Sequence, residues 1–277
     1  NSTTSMSIVV QSGTFADAFG NTNTASNTLT ATVDTAAPTI TSVSSSSADG
    51  SYKAGSTLLI TVVFNDTVTV STGGGVPTLL LETGATDTAA TYASGSGTNT
   101  LTFRYVVVAG NTSTDLDQQS NAALALNGGT IRDALGNDAV LTLASPGASG
   151  SLGANKALVI DTVAPSAPTS LTATAIGGTV VANTLLASNT NLTANASITA
   201  GQATNGSAEL LLGSAVIATD STISSSDTSV SFTLGLTTTA QVQAAIASGG
   251  VLTTRLIDLA GNISVSSASI NLAVDYV

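Results

Sequence analysis

Across 277 residues there is no histidine and no cysteine, which excludes disulfides, Ser-His-Asp and Cys-His catalysis, and the usual ligands of zinc, iron and copper. Sixteen acidic side chains stand against five basic ones, a formal charge of −11, so there are too few Lys and Arg to bind a nucleic-acid backbone. With 42% hydrophobic but only 3% aromatic residues, the chain can bury cores of Val, Ile, Leu and Ala while offering little for stacking against sugars.

Residues 1 to 37 read as a β-hairpin. Ser7-Ile8-Val9-Val10 and Gly13-Thr14-Phe15 lead into a turn at Asp17 to Asn21, and Thr28 to Val33 alternates polar with apolar residues up to Asp34. A lone hairpin is marginal in water. The piece is therefore expected to be the C-terminal hairpin of an incomplete repeat, or to complete a sheet in another molecule. No stretch has the length of a membrane span, and residues 1 to 15 lack the basic start and apolar run of a signal peptide. Asn1 is accordingly expected to lie inside a longer precursor or to follow a processing site.

Residues 38 to 163 carry strand signals at Ile40–Val43, Thr57–Phe64, Thr78–Leu81, Leu101–Val108, Ala123–Ile131 and Ala157–Ile160, divided by Gly, Asn, Asp and Ser clusters. Thr114 to Gln119 predicts a single helical turn. Residues 164 to 277 repeat the theme at Leu171–Ala175, Asn195–Ala200, Ser207–Leu212, Ala215–Thr219, Ser229–Leu234, Val251–Ile257 and Ser267–Val274. Thr239 to Ala247 predicts a short helix with a core-facing stripe of Ala240, Val242, Ala245 and Ile246. Roughly seven short alternating strands per unit is the pattern of an immunoglobulin-like sandwich. The expected fold class is all-β, with tandem immunoglobulin-like β-sandwiches joined end to end by short linkers.

One motif sets the boundaries. Asp-x-x-Gly-Asn occurs at Asp17 to Asn21, Asp133 to Asn137 and Asp258 to Asn262, each time leading to a strand that ends in Val-Asp or Ile-Asp. Two of those terminal aspartates open similar linkers, Asp34-Thr35-Ala36-Ala37-Pro38 and Asp161-Thr162-Val163-Ala164-Pro165. Self-similarity on this scale is the mark of a repeat array. Pro38 and Pro165 hold the residues before them extended, which predicts short, straight connections.

Together with Gly-Thr-Phe-Ala-Asp-Ala-Phe-Gly-Asn at 13 to 21 and Ser-Ala-Asp-Gly-Ser-Tyr-Lys-Ala-Gly from Ser47 to Gly55, these linkers carry a family likeness. The chain resembles the bacterial immunoglobulin-like tandem repeats of giant surface proteins, including biofilm-associated adhesins. Its middle repeat also looks like the swimming-motility repeats of cyanobacterial surface proteins. The resemblance implies repeat-built architecture at the cell surface and names no particular ligand.

In a seven-strand sandwich, the loops after the second and sixth strands lie at the pole where the chain comes in, while the last strand ends at the opposite pole. Asp133 and Asn137 are thus expected to face the linker carrying Asp34, joined by Asp66 at the end of the second strand. Asp258 and Asn262 are expected to face Asp161, with Asp115 and Asp117 reaching over from the middle repeat. Carboxylates gathered this way repel one another, and a cation removes that cost. Ca²⁺ takes oxygens from Asp, Asn and backbone carbonyls in flexible geometry, so it is the expected cofactor. The competing reading of Asp-x-x-Gly-Asn is a plain turn, with Gly at positive φ and Asp or Asn capping its own backbone.

Catalysis would fall to Glu82 or Glu209, and both lie in strand-like stretches. Lys53 and Lys156 read as surface lysines, with an isopeptide bond to Asn or Asp as the alternative. The chain is therefore expected to be no enzyme but an extracellular structural and adhesive module, part of a long calcium-stiffened microbial surface protein. The alternative is a surface-layer or filament subunit that assembles through the same domains, by strand addition at the 1–37 hairpin. Expected partners are neighbouring repeats of the same or an adjacent chain and a host, cell-surface or matrix ligand, with no nucleic acid and no membrane insertion.

Overall fold

The computed structural model describes residues 3–186, 188–236 and 250–275, and they are almost wholly β. β1 (Thr3–Ile8) and β2 (Leu29–Asp34) form a two-stranded antiparallel sheet by themselves. The next stretch contributes β3 (Ile40–Ser45), β4 (Gly50–Tyr52), β5 (Thr57–Ser71), β6 (Thr78–Leu81), β7 (Thr88–Ser94) and β8 (Thr98–Val106). It continues with β9 (Thr112–Ser113), β10 (Leu124–Ala125), β11 (Thr130–Arg132), the one-turn helix α1 (Leu152–Asn155) and β12 (Leu158–Asp161). Beyond it come β13 (Thr169–Ile176), β14 (Thr184–Leu186), β15 (Asn191–Ser197) and β16 (Ser207–Leu212). β17 (Ala215–Asp220), β18 (Ser229–Gly235), β19 (Gly250–Ile257) and β20 (Ile270–Asp275) complete the set.

Period-two alternation builds both cores. In β5 the side chains of Leu58, Ile60, Val62, Phe64 and Val68 are buried while their neighbours face outward. β5 is the spine of a seven-stranded sheet, ordered β10-β6-β7-β8-β5-β11 with β3 also paired to β5. A three-stranded sheet, β4-β12-β9, contributes Leu158 and Ile160 to the same core. The second core lies between residues 175 and 272, where β13-β15-β18 and β14-β20-β19-β16-β17 bury Ala194, Phe232, Leu210, Leu252 and Leu256.

A polar pin crosses the first core. The Asn111 Oδ1 accepts from the Tyr105 hydroxyl at 2.9 Å and from the Val108 N–H at 3.1 Å, and its Nδ2 donates to Thr88 Oγ1 at 3.0 Å. Burial pushes the Tyr105 hydroxyl up to about 12. In the second core region, Arg255 and Glu209 stand opposite each other on β19 and β16 and are ion-paired at 2.6 Å.

Several strand expectations change. Ala123–Ile131 is two short strands, because Asn127 and Gly128 turn the chain with φ of 52° and 92° between them. β10 then pairs with β6 and β11 with β5. β5 runs on to Ser71, past Asn65 and Asp66, through a register slip between Val63 and Val68. No helical turn forms at Thr114 to Gln119, since Leu116 N–H donates to Leu158 O, Gln119 N–H to Leu80 O, and Asp117 O accepts from Glu82 N–H. Strand partners on both sides hold the backbone groups that a helix would need. The helix expected at Thr239 to Ala247 lies outside the described residues.

Candidate functional site at the linker turns

The three Asp-x-x-Gly-Asn segments fold into the same turn. In the second copy the Asp133 N–H donates to Asn137 O at 3.1 Å and the Gly136 N–H donates back to Asp133 O at 3.3 Å. The Asp133 carboxylate closes the ring: Oδ1 accepts the N–H groups of Leu135 and Asn137 at 2.9 and 2.8 Å, and Oδ2 accepts Asn137 Nδ2 at 2.7 Å. Glycine is required at the fourth position, where φ is +84°, +94° and +87° in the three copies. Asn21 and Asn262 repeat the side-chain bond to Asp17 and Asp258 at 2.8 and 2.9 Å.

The same amide also reaches out of the turn. Asn137 Nδ2 donates to the main-chain oxygen of Asp34 at 3.1 Å, and Asn262 Nδ2 donates to that of Asp161 at 2.9 Å. Each linker is thus held by an asparagine more than a hundred residues further along the chain. Within the linkers the aspartate side chains fold back on their own backbone, Asp34 Oδ1 accepting from Ala36 N–H and Asp161 Oδ1 from Val163 N–H. Pro38 and Pro165 are buried. The Pro38 oxygen accepts the Val140 N–H at 2.8 Å, and Thr39 N–H donates to Asn65 Oδ1 at 2.8 Å, fastening the first linker to residues 38–163.

Electrostatics follow from the donors. Asp133 is buried, and it is held below the usual carboxylate range first by the Asn137 amide and then by the backbone N–H groups of Asn137, Leu135 and Gly136. Asp17 is lowered in the same way, with Asn21 the largest cause. The Asp133 charge is therefore met by N–H groups within its own turn.

The expected ligand set is only partly brought together. Asp34 with Asp133 and Asn137, and Asp161 with Asp258 and Asn262, are joined through the asparagine amides. Asp66 is half-buried beside Asn65, at the register slip of β5, and its Oδ1 accepts the Thr67 N–H. Asp115 and Asp117 lie elsewhere. They sit beside Gly153 of α1, near the start of β12, whereas Asp161 ends that strand about 10 Å on. Asp117 is already engaged there, accepting Gln118 N–H and Gly147 N–H at 2.8 Å each. The antiparallel pairing of β9 with β12 carries the chain away from Asp161, which is why these two aspartates part from the junction. Among the described residues, no three acidic side chains come together as a set of metal ligands.

Sequence reasoning missed two contacts at the second linker. Lys53, just after β4, donates from Nζ to Gly261 O at 2.9 Å, across 208 residues. Thr162 accepts the Gly110 N–H and donates to Asn111 O at 2.8 Å. The signal for the second was the threonine that follows the terminal aspartate in both linkers; the first had no local signal. Of the other candidates, Lys156 pairs with Asp49 at 2.8 Å, Glu209 with Arg255, and Glu82 Oε1 accepts Gly84 N–H. A scan against protein-family models finds no match, and a search of curated proteins finds none either.

Proposed function

We propose that the chain is a non-enzymatic structural segment of an extracellular microbial surface protein, made of immunoglobulin-like sandwich repeats joined end to end and stiffened at their linkers. The supporting observation is the asparagine clamp: Asn137 on Asp34 O and Asn262 on Asp161 O make the same connection at both linkers. A linker fastened at its main chain by the next unit transmits force and direction, which a stalk requires. An adhesive role at a host, cell-surface or matrix ligand belongs to the same reading.

Calcium is part of the proposal. The oxygens of Asp34, Asp133 and the Asn137 amide are groups of the hard type that Ca²⁺ takes, and the same holds for Asp161, Asp258 and Asn262. Bound there, it would supply positive charge between carboxylates and carbonyls at the joint. Small-angle X-ray scattering tests both layers. The Asn137→Ala/Asn262→Ala variant is expected to be more compact on average than the parent, and the parent to extend further with Ca²⁺ than with chelator. Equal extension with calcium and chelator removes the ion from the reading; equal extension of parent and variant removes the clamp.

Assembly into a surface layer or filament is the second reading. The observation favouring it is the β1–β2 hairpin, whose apolar residues Met6, Ile8, Phe15 and Leu29 are exposed.

A further inference from the structure

Residues 3–34 repeat the strand-to-strand bonds of the last hairpin of the chain. The Phe15 N–H donates to Asn23 Oδ1 and the Asn23 N–H to Phe15 O, as the Leu256 N–H donates to Ser264 Oγ and the Ser264 N–H to Leu256 O. Val10 N–H donates to Ser26 Oγ and Ser26 N–H to Val10 O, as Thr254 and Ser267 do. Further along, Ile8 faces Leu29 as Leu252 faces Ile270, and Met6 faces Ala31 as Gly250 faces Leu272. The two pairings differ in length at one place, where Gln11 to Thr14 stand in for Arg255.

This correspondence tells what the hairpin is built to touch. Ile8 and Phe15 are 56% and 64% exposed, while their counterparts Leu252 and Leu256 are both 0% exposed. Alternation places Met6, Ile8, Leu29, Ala31 and Val33 on one face, with Ser5, Ser7, Thr30 and Thr32 on the other. In the last hairpin the equivalent face lies on a core containing Ala194, Leu210 and Phe232. Its two edges are also taken: β16 runs antiparallel to β19 with Leu212 opposite Leu252, and β14 runs parallel to β20.

Resting on the tandem-repeat reading above, we infer that the β1–β2 hairpin docks on the strand set of a repeat of the same kind, equivalent to residues 164–249 and joined ahead of it in the same polypeptide. That set lays a β16-like strand antiparallel along β1 and a β14-like strand parallel along β2. The source in cis follows from the linker. Asn137 holds Asp34 O as Asn262 holds Asp161 O, and the Asp161 linker leaves a core that is complete.

Phe15→Trp gives the chain its one tryptophan. In the 277-residue chain its emission is expected at the long wavelength of a hydrated indole, open to quencher, at every protein concentration. In a fusion that places residues 164–249 directly before Met6, the counterpart of Gly250, emission shifts to shorter wavelength and quenching is lost. An unshifted indole emission in the fusion overturns the docking. A concentration-dependent shift in the 277-residue chain overturns the source in cis and assigns the face to a second copy. Ile8→Asp in the same chain needs no fusion: no change in thermal unfolding is expected, whereas Leu252→Asp should abolish the second core's transition. Equal damage from both variants overturns the proposal, because the Ile8 face is then already covered. None of these outcomes bears on the clamp, which scattering tests separately.

Discussion

At the scale of single residues, Asn137 does two jobs with one amide: it closes the Asp133 turn and fastens the Asp34 carbonyl. Because the first of these bonds is the largest cause of the lowered Asp133 pKa, the turn has a definite pH behaviour. A carboxylate whose folded pKa lies below its unfolded one adds stability that is full above the ordinary carboxylate range and is lost as pH falls through the folded value. Asn137→Ala should therefore move the Asp133 titration upward toward that range. A carboxyl chemical-shift titration by NMR checks this, with Asp17, held by Asn21 in an identical turn, as the internal reference. An Asp133 midpoint that stays put in the variant would mean the backbone N–H groups alone set the pKa. The turn itself was legible in sequence, because its carboxylate, glycine and amide act within five residues. The identity of the atom that Asn137 grips outside the turn was not.

At the scale of elements, the seven-stranded sheet depends on a place where two loops touch backbone to backbone. Gly74 and Gly75 lie against Asn127 and Gly128, so closely that a Cβ on Gly75 would stand 1.7 Å from the Asn127 oxygen. The Asn127 side chain adds bonds to Val76 O and Thr78 Oγ1 at 2.9 Å each. This pairing sends β10 to β6 and β11 to β5, splitting what alternation alone reads as one strand. Gly75→Ala is expected to cost roughly 2–3 kcal/mol, the upper range for forcing atoms into a packed site. Urea unfolding followed by circular dichroism measures it, and Gly73→Ala in the same loop, where a Cβ meets only Ser71 Oγ at 4.0 Å, is the control. Alternation found most strands because burial of one face imposes a period of two. It missed β7, where only Ala90 is buried and no alternation shows, and the short edge pieces β4, β9 and β14, which take their strand form from the neighbours they pair with and have too few residues to show a period.

At the scale of the whole molecule, direction along the chain is set where linkers meet turns. The Asp258–Asn262 turn is tied to residues 38–163 at two points, Asn262 on Asp161 O and Lys53 on Gly261 O, and a second point restricts an orientation that one leaves free to pivot. Lys53 is exposed, so Lys53→Met should leave the unfolding temperature unchanged while widening the range of angles between the units on either side. Residual dipolar couplings read that angle directly; an unchanged distribution would make Lys53 a bystander. By itself the sequence determined the all-β character and the three Asp-x-x-Gly-Asn turns, because these rest on local alternation, on glycine at positive φ and on side chains that bond within a few residues. Only the tertiary structure decided which partner each carboxylate keeps. It parted Asp115 and Asp117 from Asp161 through the antiparallel run of β9 on β12, and it brought Lys53 to Gly261. Contacts across a hundred residues or more are fixed by how sheets stack and where strands end, and no local pattern carries that information.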